Sequence, residues 1–388
     1  MPPQTDHRTA VQPLPLALCL GAFALGTVRL APDGWRPAAL WLIGLALGLA
    51  LYHASFGFAN GYRRTICRRD MRGVQAQLLL LALTTLLFAP VLAAGSVFGR
   101  QVGGALAPLG VSVAAGAFLF GIGMQLAGGC ASGTLYTAGG GSMRMGVVLV
   151  AACGGSFWAS LHLGWWQGLP AHDAVVLADV LGGPSALAAQ LGAIAVLALL
   201  LRRLARPMPA SASAPDGVGA MLLGPWPLAA GAALLALGNF ATLLVDGHPW
   251  AITWGFTVRG AKAAALLGWQ PASSTFWRDG AQREALDGSV LAHTTSMMDL
   301  AIMLGAVCAA ALAGRFAPHW RMSGRSLVAA LLGGGAIGYG ARIAYGCNIG
   351  AFISGVASGS LHGWLWIAAA LPGTWLGIRL RRRFGLPD

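Results

Sequence analysis

Runs of about twenty apolar residues recur ten times along the chain, and no other feature restricts the fold so strongly. Each run is long enough to cross the roughly 30 Å hydrocarbon core of a bilayer as a helix. They fall near 12–31, 37–59, 74–95, 105–128, 145–164, 186–201, 220–245, 292–313, 326–346 and 360–379. Composition agrees: 56% of the 388 residues are hydrophobic and 10% charged, against about 25% charged in a soluble domain. An all-α polytopic membrane protein is expected. The stretch 249–269 is apolar but interrupted by Arg259 and Lys262, so it is expected to enter the membrane without crossing.

The net charge of +13 does not point to nucleic acid, because the arginines stand in short clusters between the apolar runs. These clusters are Arg63-Arg64, Arg68-Arg69-Arg72, Arg202-Arg203-Arg206, Arg315 to Arg325 and Arg379 to Arg383. Ten crossings with both termini inside put every cluster in the cytoplasm, as the positive-inside rule requires. Segments 165–185 and 270–290 then face outward, in the inner membrane of a bacterium. The start of the chain lacks the marks of a cleaved signal, so 12–31 is read as a retained span.

Two glycine-rich stretches stand out within this frame. Gly121-Ile-Gly-Met-Gln-Leu-Ala-Gly-Gly-Cys130-Ala-Ser-Gly133 is followed, 217 positions on, by Gly338-Tyr-Gly-Ala-Arg-Ile-Ala-Tyr-Gly-Cys347-Asn-Ile-Gly350. The same offset pairs Gly116 with Gly333 and Gly146 with Gly363. A weaker echo joins Phe56-Gly-Phe58 to Trp254-Gly-Phe256. The expectation is two homologous halves, 1–205 and 220–388, divided by the Pro/Ala/Ser-rich linker 206–219. With ten crossings, the helix before Cys130 runs inward and the helix before Cys347 runs outward. The halves are therefore inverted repeats with a re-entrant broken helix in each, an architecture that puts a solute site at the repeat interface.

Each Gly-Cys pair marks a helix break, followed by a short re-entrant helix at 131–136 or 348–353. The N-terminus of such a helix offers free N–H groups and the positive end of its dipole to an anion, and the cysteine sits there with its thiol polarised. Cys130, Cys347, Gly129, Ser132, Gly133, Gly346, Asn348 and Gly350 are the candidate path residues. A soft sulfur beside anion-attracting amides suits a solute both soft and anionic, such as thiosulfate. Arg342, inside an apolar helix, either meets that anion or bonds carbonyls freed at the break.

The segments Gly123–Tyr136 and Ala341–Trp366 resemble the YeeE/YedE family of bacterial sulfur-compound transporters. The resemblance implies uptake of thiosulfate or a related sulfur anion along a narrow path through Cys130 and Cys347. It also implies a cytoplasmic TusA-like sulfur carrier as partner. One departure concerns a third path cysteine: where thiosulfate importers resemble Phe-Cys-x-Thr-Gly, this chain reads Phe56-Gly57-Phe58-Ala59-Asn60. Cys67, amid arginines ten residues on, is a possible replacement, and Lys262 a possible accessory group.

The remaining residues are assigned structural parts. Cys19, Cys153 and Cys308 are read as packing, Trp165-Trp166 and Trp364-x-Trp366 as interfacial anchors, and His362 as a packed histidine. Asp299, six residues after His293, is read as structural, with a proton relay as the alternative. Arg259 and Lys262 are read as a rim anchor or an anion-attracting vestibule. No Walker, dinucleotide or H-E-x-x-H motif and no C-x-x-C pair is present, so a transporter without cofactor or metal is expected rather than an enzyme. The alternatives are a selenium-compound transporter, a thiol oxidoreductase using Cys130 and Cys347, and a membrane anchor for a sulfur carrier.

Overall fold

A computed structural model describes residues 11–206, 223–318 and 322–386. The linker 206–219, apart from Arg206, lies outside the described residues. Among these, nine helical segments are long and apolar enough to cross a membrane, and the chain is an all-α polytopic membrane protein. The tenth expected span, 360–379, forms a helix of spanning length, Leu361–Arg381. Its His362, Thr374, Arg379 and Arg381 dilute the apolar signal.

In chain order the helices are α1 (Pro13–Leu30), α2 (Trp35–His53), α3 (Phe58–Arg68), α4 (Arg72–Ala94), α5 (Val111–Ala127) and α6 (Ala131–Gly139). There follow α7 (Met143–Leu161), α8 (Leu163–Gln167), α9 (Leu177–Leu181), α10 (Gly183–Leu204), α11 (Leu228–Asp246) and α12 (Thr253–Leu266). The chain ends with α13 (Gly280–Asp287), α14 (Thr294–Leu312), α15 (Gly324–Ile343), α16 (Ser354–Ala357) and α17 (Leu361–Arg381). A π-helical turn, Asn348–Ile353, leads into α16. Two-stranded ribbons pair Ser96–Val97 with Arg100–Gln101 and Leu109–Gly110 with Ala171–His172. The interrupted stretch 249–269 yields only the 14-residue α12, as its two basic residues require.

Four helices make the centre, with α5 and α15 packed together, α17 on α5 and α7 on α15. Glycine makes this possible, since backbones approach where no Cβ intervenes. A methyl added at Gly116 would lie 2.6 Å from the Gly340 carbonyl oxygen, and one at Gly123 would lie 2.8 Å from that of Gly333. Under the offset of 217 these two contacts exchange with one another. The outer contacts behave alike: Gly121 meets Ala370 and Thr374 of α17, while Gly338 meets Ala152 and Ser156 of α7. Around this core, α2 packs on α14 and α4 on α11.

Arg64, Arg69, Arg72 and Arg206 gather at one face of the bundle. The Arg206 amide bonds the Arg69 carbonyl, the Gln12 side chain bonds Phe316, and Arg144 bonds Ser326. Two assignments change. Cys19 and Cys308 do more than pack: they form a disulfide that ties α1 to α14. Trp366 is fully buried rather than interfacial, because the break before Cys347 needs its indole N–H, which donates to the Gly346 carbonyl at 3.2 Å.

Candidate functional site

The first break follows α5, whose C-cap Gly128 takes a left-handed φ of 84°. The last carbonyls of a helix lack intrahelical partners and carry negative partial charge. Two guanidiniums meet them: Arg144 donates to Leu126 and Ala127, and Arg381 donates to Gln125. Sequence reasoning passed over Arg144, a single arginine beside an apolar run, and read Arg381 only as part of the basic cluster Arg379 to Arg383.

Cys130 is the N-cap of α6. Its sulfur accepts from the Gly133 amide at 3.5 Å and stands 3.3 Å from the Ser132 hydroxyl. The Phe58 amide, at the start of α3, also faces it. Two helix N-termini therefore converge on one thiol, the arrangement that concentrates positive potential.

The second break is built differently. Tyr345 is held at a φ of 60°, a region that costs a bulky residue energy and is found at functional sites. Cys347 follows and caps the π turn, with the amides of Gly350 and Ile349 facing its thiol. Asn348 donates to the Tyr62 hydroxyl of α3 at 3.2 Å, while its own carbonyl oxygen is buried without a partner. Both Cys130 and Cys347 are only 1% exposed, so neither thiol is open to water.

One cavity lies at the second break and another beside the start of α3. The first, of about 220 Å³, is lined by Arg342, Tyr345, Gly346 and Gly350 together with His248 and Trp254. The Arg342 guanidinium is held between the rings of Trp254 and Phe276, 4.9 Å from each centroid. Its Nε is buried without a hydrogen-bond partner. Aromatic faces position a cation without consuming its N–H donors, so those donors are left for a ligand.

The second cavity, of about 270 Å³, is lined by Gly57, Asn60, Arg64, Asp70, Arg72 and Gln77 among others. The guanidinium and backbone amide of Arg72 bond the Asp70 carboxylate and hold it below its ordinary range against the opposing effect of burial. The two cavities open toward opposite faces. Helices α4 and α11 both start at the second, which Arg72 and Leu228 line, and the segments after their other ends supply Gly104, Ala105 and His248 to the first.

Gly57 stands where the family resemblance leads to the expectation of a third path cysteine. Its backbone is extended, and an added Cβ would meet nothing nearer than the Tyr136 hydroxyl at 3.5 Å. Gly57→Cys is therefore expected to fold normally and to leave the melting temperature within about 2 °C of wild type, since compatible substitutions change stability little. The new thiol is expected to react with a maleimide applied from the arginine-rich face, which labelling in oriented vesicles would measure. Cys67 is exposed on α3 and lines neither cavity. Lys262 lines neither cavity; it donates to the Leu286 and Gly288 carbonyls and secures the loop after α13. Arg259 is paired with Asp299.

Broken helices that meet inside a bundle form the solute sites of many membrane transporters. Residues 53–376 match the sulphur transport family, and the chain belongs to it. Over 149 residues it is 32% identical to the "Probable transporter YedE" of Escherichia coli (strain K12), covering 38% of this chain and 36% of that protein. The YedE protein of Salmonella typhimurium matches to the same extent. The chain thus spans just over a third of the length of these relatives. It is also 26% identical over 359 residues to the "Thiosulfate transporter TsuA" of Spirochaeta thermophila, covering 86% of this chain and 96% of that one.

Proposed function

We propose that this protein takes up a sulfur-containing anion, with thiosulfate the best-fitting species, across the bacterial inner membrane. The observation that supports the reading is the pair of buried cysteine caps, with an Arg342-lined cavity at the second break and an Arg64- and Arg72-lined cavity beside α3. The arginine-rich face is cytoplasmic by the positive-inside rule, as are both termini. The anion enters at Arg342, whose unclaimed donors suit a sulfonate-like group. Its soft sulfur then accepts S–H hydrogen bonds from Cys347 and Cys130 in succession. No covalent step is required. Glycines at 129, 133, 346 and 350, with Ser132 and Asn348, leave amides and polar groups open along the way. Arg64 and Arg72 receive the anion inside, where a TusA-like carrier would collect it.

The exchange of the Gly116–Gly340 and Gly123–Gly333 contacts under one offset supports two inverted repeats, with the path at their interface.

Radiolabelled thiosulfate uptake into a strain lacking its own importers tests the reading. Wild type is expected to accumulate the label, and Arg342→Gln to raise the half-saturating concentration about tenfold, the loss of one charge-assisted bond of about 1.4 kcal/mol. Failure of abundant wild-type protein to take up label would remove thiosulfate. Stronger inhibition by selenium oxyanions than by unlabelled thiosulfate would transfer the assignment to selenium.

A further inference from the structure

Among the described residues, only two acidic side chains are buried, Asp70 at the inner cavity and Asp299 on the spanning helix α14. Nothing in the cysteine path uses Asp299. It is fully buried and paired with Arg259 of α12 through one carboxylate oxygen, while the other oxygen, Oδ1, has no hydrogen-bond partner. One turn back on the same face of α14, the buried Ser296 hydroxyl is also unpartnered. One turn further, His293 accepts from the Trp254 indole on Nε2 and leaves Nδ1 unpartnered. Residues three apart stack along one helix face. Glycine at position 255 keeps the facing helix close, since a Cβ there would lie 2.7 Å from the Asp299 carboxylate and 3.2 Å from Ser296.

Three polar groups therefore descend from the half-buried His293 at the helix end into the membrane, each with an open valence. Such groups are rare inside proteins, and an ionisable residue within the membrane is costly enough to imply a use. The other surroundings of Asp299 are few. Arg259 is the charge that meets it, Cys153 of α7 lies near the pair, and Lys262 is bonded to loop carbonyls. Helix α2 meets this part of α14 through Gly44, with Arg36, Tyr52 and His53 at its ends. Helix α6 meets α14 through Gly139, and α1 through Cys19. Asp299 also lies within electrostatic reach of the Cys347 thiol.

We infer that His293, Ser296 and Asp299 form a proton-binding branch beside the anion path, and that one proton binds at Asp299 with each anion taken up. The inference rests on the transport reading above. An anion beside Cys347 and an ionised Asp299 repel one another. A proton from the outer water, added to the Asp299 carboxylate, removes that repulsion, so proton and anion favour each other's binding reciprocally. The need is physical: a membrane potential that is negative inside opposes the entry of each negative charge.

The test uses purified protein in liposomes with the potential clamped, measuring thiosulfate counterflow and net accumulation separately. With one proton per anion, an outside solution one pH unit more acidic is expected to raise wild-type accumulation about tenfold, a proton activity ratio expressed directly in the anion ratio. Asp299→Asn is expected to retain measurable counterflow and lose the response to the gradient. Where that variant fails to fold because Arg259 is left unpaired, the double variant Asp299→Asn/Arg259→Gln removes both charges and is expected to behave likewise. Wild-type counterflow with no response to the gradient overturns the inference while leaving transport intact. So does a response that survives in the Asp299 variants, or one that follows a sodium gradient instead. Absence of counterflow in wild type overturns the transport reading and this one with it.

Discussion

Uptake of labelled thiosulfate is expected to fall to the level of empty vesicles when either Cys130 or Cys347 is replaced by alanine, at unchanged membrane abundance. Both thiols are sealed from water, so a solute passing them has exchanged its hydration for whatever the protein supplies. Leaving a polar group unsatisfied in such a place costs roughly 3 kcal/mol, and that much on a barrier slows passage about a hundredfold. The change should be mild for folding, because alanine keeps the Cβ, and the Gly133 amide loses only a 3.5 Å contact to sulfur. Cys67→Ala and Cys153→Ala serve as controls, since neither residue lines a cavity. Both are expected to transport at near wild-type rates. Full uptake by Cys130→Ala and Cys347→Ala would remove the cysteines from the mechanism.

The largest effect on folding is expected at Gly338. A methyl there would lie 1.9 Å from the Ala152 carbonyl oxygen and 2.8 Å from the Ser156 amide. Backbone cannot step aside as a flexible side chain does, so α15 and α7 would have to separate along their shared length. Overpacking of this kind costs about 1–3 kcal/mol or more, and Gly338→Val should lose most of the folded protein. Gly154 supplies the contrast. It lies in α7 with nothing within 4 Å of an added Cβ, and alanine is a better helix former than glycine by about 1 kcal/mol. Gly154→Ala should match or exceed wild type in abundance and melting temperature, both measurable by fluorescence-detected size exclusion. Equal losses at the two positions would refute the packing argument.

The spans were legible because a helix in lipid must be apolar over a fixed length, and nothing else in a sequence imitates that. The breaks at Cys130 and Cys347 were legible for the converse reason, since glycine clusters and a polar tail interrupt the pattern at matching places. What could not be seen is who satisfies whom across the bundle. Arg144 stands on the next long helix and Arg381 near the far end of the chain, and only the broken end of α5 explains why two cations reach into it. Arg259 and Lys262 looked like a pair guarding an entrance. Three residues on one helix point them to different partners, one to Asp299 and the other to loop carbonyls. Trp366 carried the composition of a membrane anchor, and Cys19 and Cys308 that of core filling. Their roles depend on neighbours that hydropathy does not encode.

The glycine seam between α5 and α15 bears on how such a molecule can move. Where backbones touch along matched positions of two antiparallel helices, sliding by one turn would drive Phe120 or Ile337 into a space made for hydrogen atoms. The two central helices thus behave as a single spar. On the proposed function, rearrangement is expected in the short pieces hung on that spar, namely α3 with Tyr62, the Asn348 turn and the aromatic clamp around Arg342. A transporter of this build would work by small latches about a fixed spine, and its turnover would be set by how fast those latches open.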